Sequence, residues 1–253
     1  MRSFPLIEKE ALAPGFFRFR LRGSLGGRPG QFVMVKAWPG LDPLLARPLS
    51  IHDQDEDSFR FLFQVRGRGT AILARQEVGD EILVLGPLGQ GFETGSEGPA
   101  LLVAGGIGIA PFLFLARELR ARGREVYLFY GARTAAELLL LEEFESLGVR
   151  LHLATEDGSA GVKGFVSEPL VSFLKESPEG TLYACGPTPM LQAVSRIARE
   201  FGLRAYVSLE ARMACGLGMC LGCTVPRAEG GFLHVCTEGP VVPAERVFRE
   251  APP

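Results

Sequence analysis

Leu101-Leu102-Val103-Ala104-Gly105-Gly106-Ile107-Gly108-Ile109-Ala110-Pro111 is the stretch from which the fold of this chain is read. Consecutive apolar residues without alternation mark a strand covered on both faces, as in a parallel sheet. The glycines that follow mark a tight turn, and 110–122 reads as a helix with Pro111 tolerated in its first turn. This is a β-loop-α unit, and the pattern repeats downstream. Residues 126–130 read as the next buried strand, and Thr134-Ala135-Ala136-Glu137 as a capping box that opens another helix. Further strands are expected at 149–154, 182–184 and 206–209, and further helices at 163–175 and 187–202. Such alternation predicts a doubly wound parallel sheet covered by helices on both faces.

Upstream the period changes to two. Phe16-Phe17-Arg18-Phe19-Arg20-Leu21 and Gln31-Phe32-Val33-Met34-Val35-Lys36 read as strands, as do 48–52, 59–65 and 81–85, with a helical turn or two at 70–74. Short strands separated by Gly and Pro predict a small antiparallel β-barrel over 6–85. Gly86-Pro87-Leu88-Gly89-Gln90-Gly91-Phe92 and the polar run 93–98 read as a linker. The fold class is therefore mixed β and α/β, with a barrel domain over 1–92, an α/β domain over 98–205 and a small C-terminal subdomain over 206–253. At 253 residues and 47% hydrophobic content the chain can bury the cores this needs. A formal net charge of -2 supplies no basic face to follow a phosphate backbone, so nucleic acid is not an expected partner. No run of about eighteen apolar residues suggests a membrane span. Met1-Arg2-Ser3-Phe4-Pro5 lacks a signal-type apolar region, and a cytoplasmic protein is expected.

The C-terminal subdomain holds Ala214-Cys215-Gly216-Leu217-Gly218-Met219-Cys220-Leu221-Gly222-Cys223, followed after twelve intervening residues by Cys236. The spacing C-x4-C-x2-C…C is that of plant-type [2Fe–2S] proteins, and Gly216, Gly218 and Gly222 let a loop wrap closely around a cluster. A structural zinc is the alternative, although zinc sites favour paired knuckles over a glycine-rich gap of four. Disulfides are the other alternative. An odd total of five cysteines with four clustered suits a reducing compartment better.

Elsewhere, chemistry-bearing residues carry two readings each. Gly105, Gly106 and Gly108 lie where a strand hands over to a helix, so their backbone can approach a pyrophosphate, or they simply form a tight βα turn. Cys185-Gly186-Pro187 is a second turn of this kind, also at the C-terminal end of an expected strand, where open α/β sheets bind ligands. Cys185 itself reads equally as a small buried residue. Arg47-Pro48-Leu49-Ser50 puts a guanidinium beside a hydroxyl, and Gly69-Thr70 precedes a helical turn; both can hold phosphate, or be a solvated charge and an ordinary turn. His52, His152 and His234 are scattered and suggest no acid–base pair. Glu156-Asp157 near a strand end reads as a ribose contact or a solvated loop, and Arg133 can in principle accept a 2′-phosphate.

Taken in order, Arg47-Pro48-Leu49-Ser50, Gly69-Thr70, Gly86-Pro87-Leu88-Gly89, Gly105-Gly106-Ile107-Gly108 with Ala110-Pro111, and Cys185-Gly186-Pro187 resemble the ferredoxin–NADP reductase superfamily. With Glu210-Ala211-Arg212-Met213-Ala214-Cys215-Gly216 and Cys220, Cys223 and Cys236, the whole chain is similar to the electron-transfer subunits of NAD-linked (class 1B) dihydroorotate dehydrogenases. The resemblance implies that Arg47 meets FAD phosphates, Ser50 the isoalloxazine edge, and Pro48 and Leu49 the same segment. It implies that Phe63, Gln64 and Val65 line the flavin while Gly69 and Thr70 take the pyrophosphate. Gly105, Gly106, Gly108, Gly186 and Pro187 would admit NAD, with Cys185 near the meeting point of nicotinamide and flavin, and Cys215, Cys220, Cys223 and Cys236 would ligate [2Fe–2S]. The implied partner is an FMN-containing dihydroorotate-oxidising catalytic subunit, two copies of each chain forming a heterotetramer for pyrimidine biosynthesis. NAD rather than NADP follows from the resemblance alone. The alternatives are a diaphorase-type subunit of a hydrogenase, sulfide dehydrogenase or transhydrogenase, and a zinc-stabilised nucleotide-binding module without redox activity.

Overall fold

Alternating side chains build the N-terminal half. In this computed structural model, which describes residues 1–249, β1 (Arg2–Ala13), β2 (Phe16–Arg22), β3 (Phe32–Lys36), β4 (Arg47–Gln54), β5 (Ser58–Gln64) and β6 (Glu81–Leu88) form a closed barrel. Its strand order is β1-β2-β5-β4-β3-β6, with every neighbouring pair antiparallel. Phe19, Leu21, Val33, Ile51, Phe59, Phe61, Phe63 and Ile82 fill it, and α1 (Arg68–Leu73) adds Leu73. The alternation was legible in β2 but not across the whole of β1, where Glu8, Lys9 and Glu10 run together and the pairing register shifts between Leu6 and Glu8. The expected linker also starts too early. Gly86 and Pro87 belong to β6, which continues to Leu88.

Unbroken apolar strands build the second half. β7 (Ala100–Gly105), β8 (Val126–Ala132), β9 (Arg150–Thr155), β10 (Val162–Lys163), β11 (Thr181–Cys185) and β12 (Arg204–Ser208) are parallel. They alternate with α2 (Phe112–Ala121), α3 (Leu141–Ser146), α4 (Ser167–Glu176) and α5 (Thr188–Glu200). Both faces of the sheet are dry. Leu102 and Ala104 meet Phe112, Leu115 and Leu119 of α2 on one side, while Leu101 and Val103 meet Leu170, Leu191 and Val194 on the other. The helix expected over 163–175 begins only at Ser167, because Val162 and Lys163 pair with β9 and Gly164 turns the chain with φ +135.

The C-terminal segment is less separate than the sequence suggested. β13 (Thr224–Pro226) and β14 (Phe232–His234) form a hairpin, and α6 (Val235–Glu238) carries Cys236. β15 (Val241–Pro243), expected as a hairpin piece, instead joins the large sheet antiparallel to β12. The resulting order is β10-β9-β8-β7-β11-β12-β15. A division between 205 and 206 therefore falls inside β12, and residues 250–253 of the expected 206–253 subdomain lie outside the described residues. Met213, Cys223, Leu233, Val235 and Cys236 pack on Phe32, Met34, Leu85 and Leu88, which holds the cysteine segment against β3 and β6 of the barrel.

Barrel and sheet meet along α2. Its Phe114 enters the barrel core, and Arg117 bonds Asp53 Oδ2 at 2.9 Å and the Gln54 carbonyl at 2.6 Å. Arg60 reaches the same Asp53 oxygen at 2.9 Å, so a nearly buried carboxylate is held between two arginines. Burial pushes the Asp53 pKa up and the charges of Arg117 and Arg60 pull against it. Arg18 of β2 adds a bond from Nη1 to both carboxylate oxygens of Glu143 of α3, at 2.6 and 2.8 Å, while its Nε and Nη2 hold Glu10 at 3.0 and 2.6 Å. Among the described residues no helix is long and apolar enough to cross a membrane.

Candidate cofactor and electron-transfer sites

β7 and β11 lie side by side, yet the chain leaves them in opposite directions, β7 towards β8 and β9 and β11 towards β12. Such a switch point opens a crevice at the carboxyl ends of the strands. The two glycine turns expected there are in contact. A Cβ on Gly108 would lie 2.1 Å from the Cys185 carbonyl oxygen, and one on Gly186 would lie 3.0 Å from the Gly105 nitrogen. Gly106 takes φ +54 and faces open space. Pro187 and the Met190 sulfur both press on Gly105, each 2.8 Å from where its Cβ would be. Only glycine allows the two turns to come this close.

Cys185 ends β11 and is 6% exposed. Burial pushes its thiol up to about 12, and the charge of Glu210 adds to this while a bond with Ser208 opposes it. The neutral thiol is therefore a small polarisable wall residue and not a nucleophile at neutral pH. Glu210 is open to solvent at the mouth of the crevice, yet enough protein surrounds it to raise its pKa, with Arg66 pulling it down. Neither Glu210 nor Arg66 stands in a sequence pattern that gives it a role. Only the β12 end brings the carboxylate back beside the barrel, and no local pattern signals that.

On the barrel side, Arg47, Pro48, Leu49 and Ser50 are half-buried, whereas Ile51, His52 and Asp53 of the same strand are fully covered. The Arg47 guanidinium lies against Gly69, where a Cβ would come within 2.6 Å of its Cζ, and also over the Trp38 ring at 5.4 Å. Thr70 is already engaged. Its hydroxyl accepts from the N–H groups of Arg66 and Gly67, at 2.9 and 3.2 Å, and donates to the Gly67 carbonyl at 3.0 Å. What α1 can still offer a phosphate is backbone N–H from its first turn. Gln64 Oε1 is buried without a hydrogen-bond partner, an acceptor that the N–H of a flavin ring can satisfy. Phe63 is different: it is 1% exposed inside the barrel and stacked on Phe17, so its ring cannot line a ligand and only its backbone can contribute. Val65 is half-buried and gives its N–H to the Gly15 carbonyl. Arginine, helix turn and orphaned acceptor together fit a flavin dinucleotide.

The cysteine loop points its N–H groups at sulfur. Leu217 donates to Cys215 Sγ at 3.3 Å, Gly218 to Cys236 Sγ at 3.2 Å and Cys236 to Cys223 Sγ at 3.4 Å. The backbone N–H groups of Leu217 and Cys220 bring the Cys215 thiol down to about 6, and burial pushes Cys236 up to about 11. Positive φ at Gly216 and Gly218, +72 and +80, lets the loop curl inward, and Leu221 adopts φ +57 as well. All five cysteines are free thiols. The sulfurs form two pairs, Cys215 with Cys220 and Cys223 with Cys236. Among the described residues no three ligating side chains are gathered as for a single metal ion. Cys220 is exposed, and Leu217, Met219 and Leu221 surround it at 50%, 79% and 57% exposure.

Residues 210–248 match the iron-sulfur cluster binding domain of dihydroorotate dehydrogenase B, and residues 102–196 an oxidoreductase NAD-binding domain. The dihydroorotate dehydrogenase B (NAD(+)) electron transfer subunit of Clostridium acetobutylicum is 39% identical over 237 residues, 93% of this chain and 92% of that protein. The chain belongs to this family of electron transfer subunits. The dihydroorotate dehydrogenase B subunit of Lysinibacillus sphaericus is 40% identical over 249 residues, 94% of this chain and 95% of its own length. A solved chain of the NADH-dependent reduced ferredoxin-NADP oxidoreductase, described for flavin-based electron bifurcation, is 33% identical with a TM-score of 0.87, covering 98% of this chain and 90% of that one. The fold and family expected from the sequence are thus those observed. Dihydroorotate dehydrogenase B electron transfer subunits therefore give the cysteine pairs their context, an iron–sulfur site at the edge of a flavin–nucleotide reductase.

Proposed function

We propose that this chain carries electrons from a dihydroorotate-oxidising partner subunit to NAD+, using [2Fe–2S] and FAD as its resident cofactors. When bound, these groups supply the conversion between two-electron hydride exchange at nicotinamide and one-electron exchange at an iron–sulfur centre. The residues divide the work. Cys215, Cys220, Cys223 and Cys236 hold the cluster, and the N–H groups of Leu217, Gly218 and Cys236 stabilise negative charge on the sulfurs. Arg47 and the first turn of α1, with Gly69 and Thr70, take the FAD phosphates; Pro48, Leu49, Ser50, Gln64 and Val65 orient its ring. Gly105, Gly106, Gly108, Gly186 and Pro187 admit the nicotinamide nucleotide, and Cys185 excludes water beside it without exchanging a proton. In functional terms, residues 1–92 serve the flavin, 98–205 the nucleotide and 206–253 the cluster, with β12 and β15 shared between the last two.

The observation that carries this reading is the paired cysteine loop with exposed Cys220 inside an apolar rim of Leu217, Met219 and Leu221. Such a rim suits an FMN-containing catalytic subunit, with two copies of each chain in the assembly. A cytoplasmic setting keeps five free thiols reduced. A second reading, a subunit of a flavin-based transhydrogenase, is favoured by the similarity to the NADH-dependent reduced ferredoxin-NADP oxidoreductase. Co-expression with a dihydroorotate-oxidising subunit separates the two. Dihydroorotate-dependent NAD+ reduction is expected, and Cys220→Ser abolishes it while the partner still reduces artificial acceptors. Undiminished NAD+ reduction in that variant would refute the relay.

A further inference from the structure

The carboxyl end of β8 sits beside the glycine turn of β7, and it carries an arrangement of charge that the family resemblance left unread. The Tyr130 hydroxyl lies 3.2 Å from the Gly106 carbonyl and 3.0 Å from the Glu137 carbonyl, so one phenol ties the turn to the short 3-10 segment Ala135–Glu137. Glu137 is thereby placed next to the crevice. Its side chain does not close the capping box expected with Thr134, and Thr134 makes no side-chain cap. It reaches instead to Arg133, whose Nη2 and Nε lie 2.5 and 3.3 Å from the two carboxylate oxygens. The Nε–Nη2 edge of this guanidinium is therefore already taken by a carboxylate, with Nη1 outside the pair.

The neighbouring loop adds more negative charge. Glu156 donates its N–H to the Ala132 carbonyl at 3.1 Å and Asp157 to the Arg133 carbonyl at 3.2 Å, so the loop after β9 lies along the Arg133 backbone. Ser159 fixes that loop by accepting from the Ala135 N–H at 2.7 Å and donating to Asp157 Oδ1 at 2.6 Å. One cation thus shares the ledge with three carboxylates. In sheets of this type the ribose of the bound nucleotide lies near the end of the second strand, where an acidic residue favours a 2′-hydroxyl and an available arginine favours a 2′-phosphate. A guanidinium whose Nε–Nη2 edge and charge are already taken by a carboxylate is a weaker partner for a phosphate, with only its Nη1 side left to offer.

We infer that Glu137 sets the nucleotide preference of this chain: by pairing with Arg133 it withholds the guanidinium from a 2′-phosphate, so that the unphosphorylated dinucleotide is accepted and the phosphorylated one refused. The inference rests on the reading of the glycine crevice as the nicotinamide nucleotide site. Breaking the pair releases a cation at the ribose position. Glu137→Gln keeps the shape with less charge, and Glu137→Ala removes the partner altogether.

The test is calorimetric titration of the assembled complex with 5′-AMP and with adenosine 2′,5′-bisphosphate, a readout independent of turnover. The native complex should bind AMP and reject the bisphosphate. Glu137→Ala should strengthen bisphosphate binding about tenfold, with AMP binding within about twofold, as expected for one new charge-assisted phosphate contact. Glu137→Gln should fall between, and Glu137→Ala combined with Arg133→Ala should lose the gain. Arg133→Ala alone should change neither ligand by more than about twofold, since the carboxylate already neutralises its guanidinium. Bisphosphate binding that is unchanged in Glu137→Ala, or a gain that survives removal of Arg133, overturns the inference while AMP binding upholds the crevice. If AMP does not bind at all, the nucleotide reading fails and the inference with it.

Discussion

Acidification should loosen the junction between barrel and sheet through His52, and the size of the effect follows from its surroundings. The imidazole is fully buried, with Nδ1 2.6 Å from the Ala110 carbonyl and Nε2 buried without a partner. A proton on Nδ1 satisfies the carbonyl, but a second one on Nε2 finds no acceptor. Burial lowers its pKa from 6.5 to about 4; the Ala110 carbonyl opposes this, and the charges of Arg18 and Arg60 reinforce it. Above pH 6.5 both folded and unfolded chains carry a neutral ring, so His52 adds no pH dependence there. As pH falls from 6.5 towards 4 the unfolded chain takes up a proton that the folded chain refuses, and stability is lost. The full effect is about 3 kcal/mol, of which about 2 kcal/mol is lost by pH 5. Asp53 beside it works in the opposite sense, because its folded pKa is raised, so the His52 contribution must be read as a difference. His52→Asn keeps a donor near Ala110 and removes the titration. Urea unfolding at pH 7.5 and pH 5 should show the variant losing about 2 kcal/mol less than the native chain between the two conditions. Equal losses in the two proteins would refute the reasoning.

Two glycine substitutions should separate backbone crowding from side-chain crowding. In Gly108→Ala the new methyl meets only backbone, the Cys185 carbonyl at 2.1 and 2.5 Å and the Gly186 nitrogen at 2.8 Å, so the turns of β7 and β11 must part. Loss of about 3 kcal/mol or more is expected in thermal unfolding, together with loss of AMP binding; a native melting temperature would contradict the contact between the turns. In Gly69→Ala the methyl meets the movable end of Arg47 at 2.6 Å, in a helix that tolerates alanine. Stability should change by less than about 1 kcal/mol while FAD affinity falls about tenfold, as measured by flavin release; tight FAD binding would mean that Arg47 does not hold its phosphates.

Much of this architecture was written locally. The change from period-two alternation in Phe16-Phe17-Arg18-Phe19-Arg20-Leu21 to the unbroken run Leu101-Leu102-Val103-Ala104 marks the passage from barrel to parallel sheet, because one strand type has a single dry face and the other has two. The cysteine spacing likewise marks the four sulfurs that the loop and α6 bring near one another. Tertiary placement was not legible. Phe63 follows the alternation of a lining residue but turns into the barrel, since strand pairing and not composition decides which face is inward. Thr134-Ala135-Ala136-Glu137 has the sequence of a capping box, yet Arg133 competes for the carboxylate and wins. Arg66 and Glu210 are far apart in the chain and nothing near either of them announces the other.

β15 carries one further consequence. The Leu209 N–H bonds the Pro240 carbonyl at 2.9 Å, and Ser208 and Val241 lie opposite one another, so the chain departs from the nucleotide sheet and returns to the same place. The excursion between them is a closed noose, cinched at its neck and wedged by its apolar filling against the outside of the barrel. A metal centre mounted there cannot shuttle on a tether. Its spacing from the other redox groups is settled at folding, and any tuning of throughput must come from driving force or from how the neighbouring chain docks.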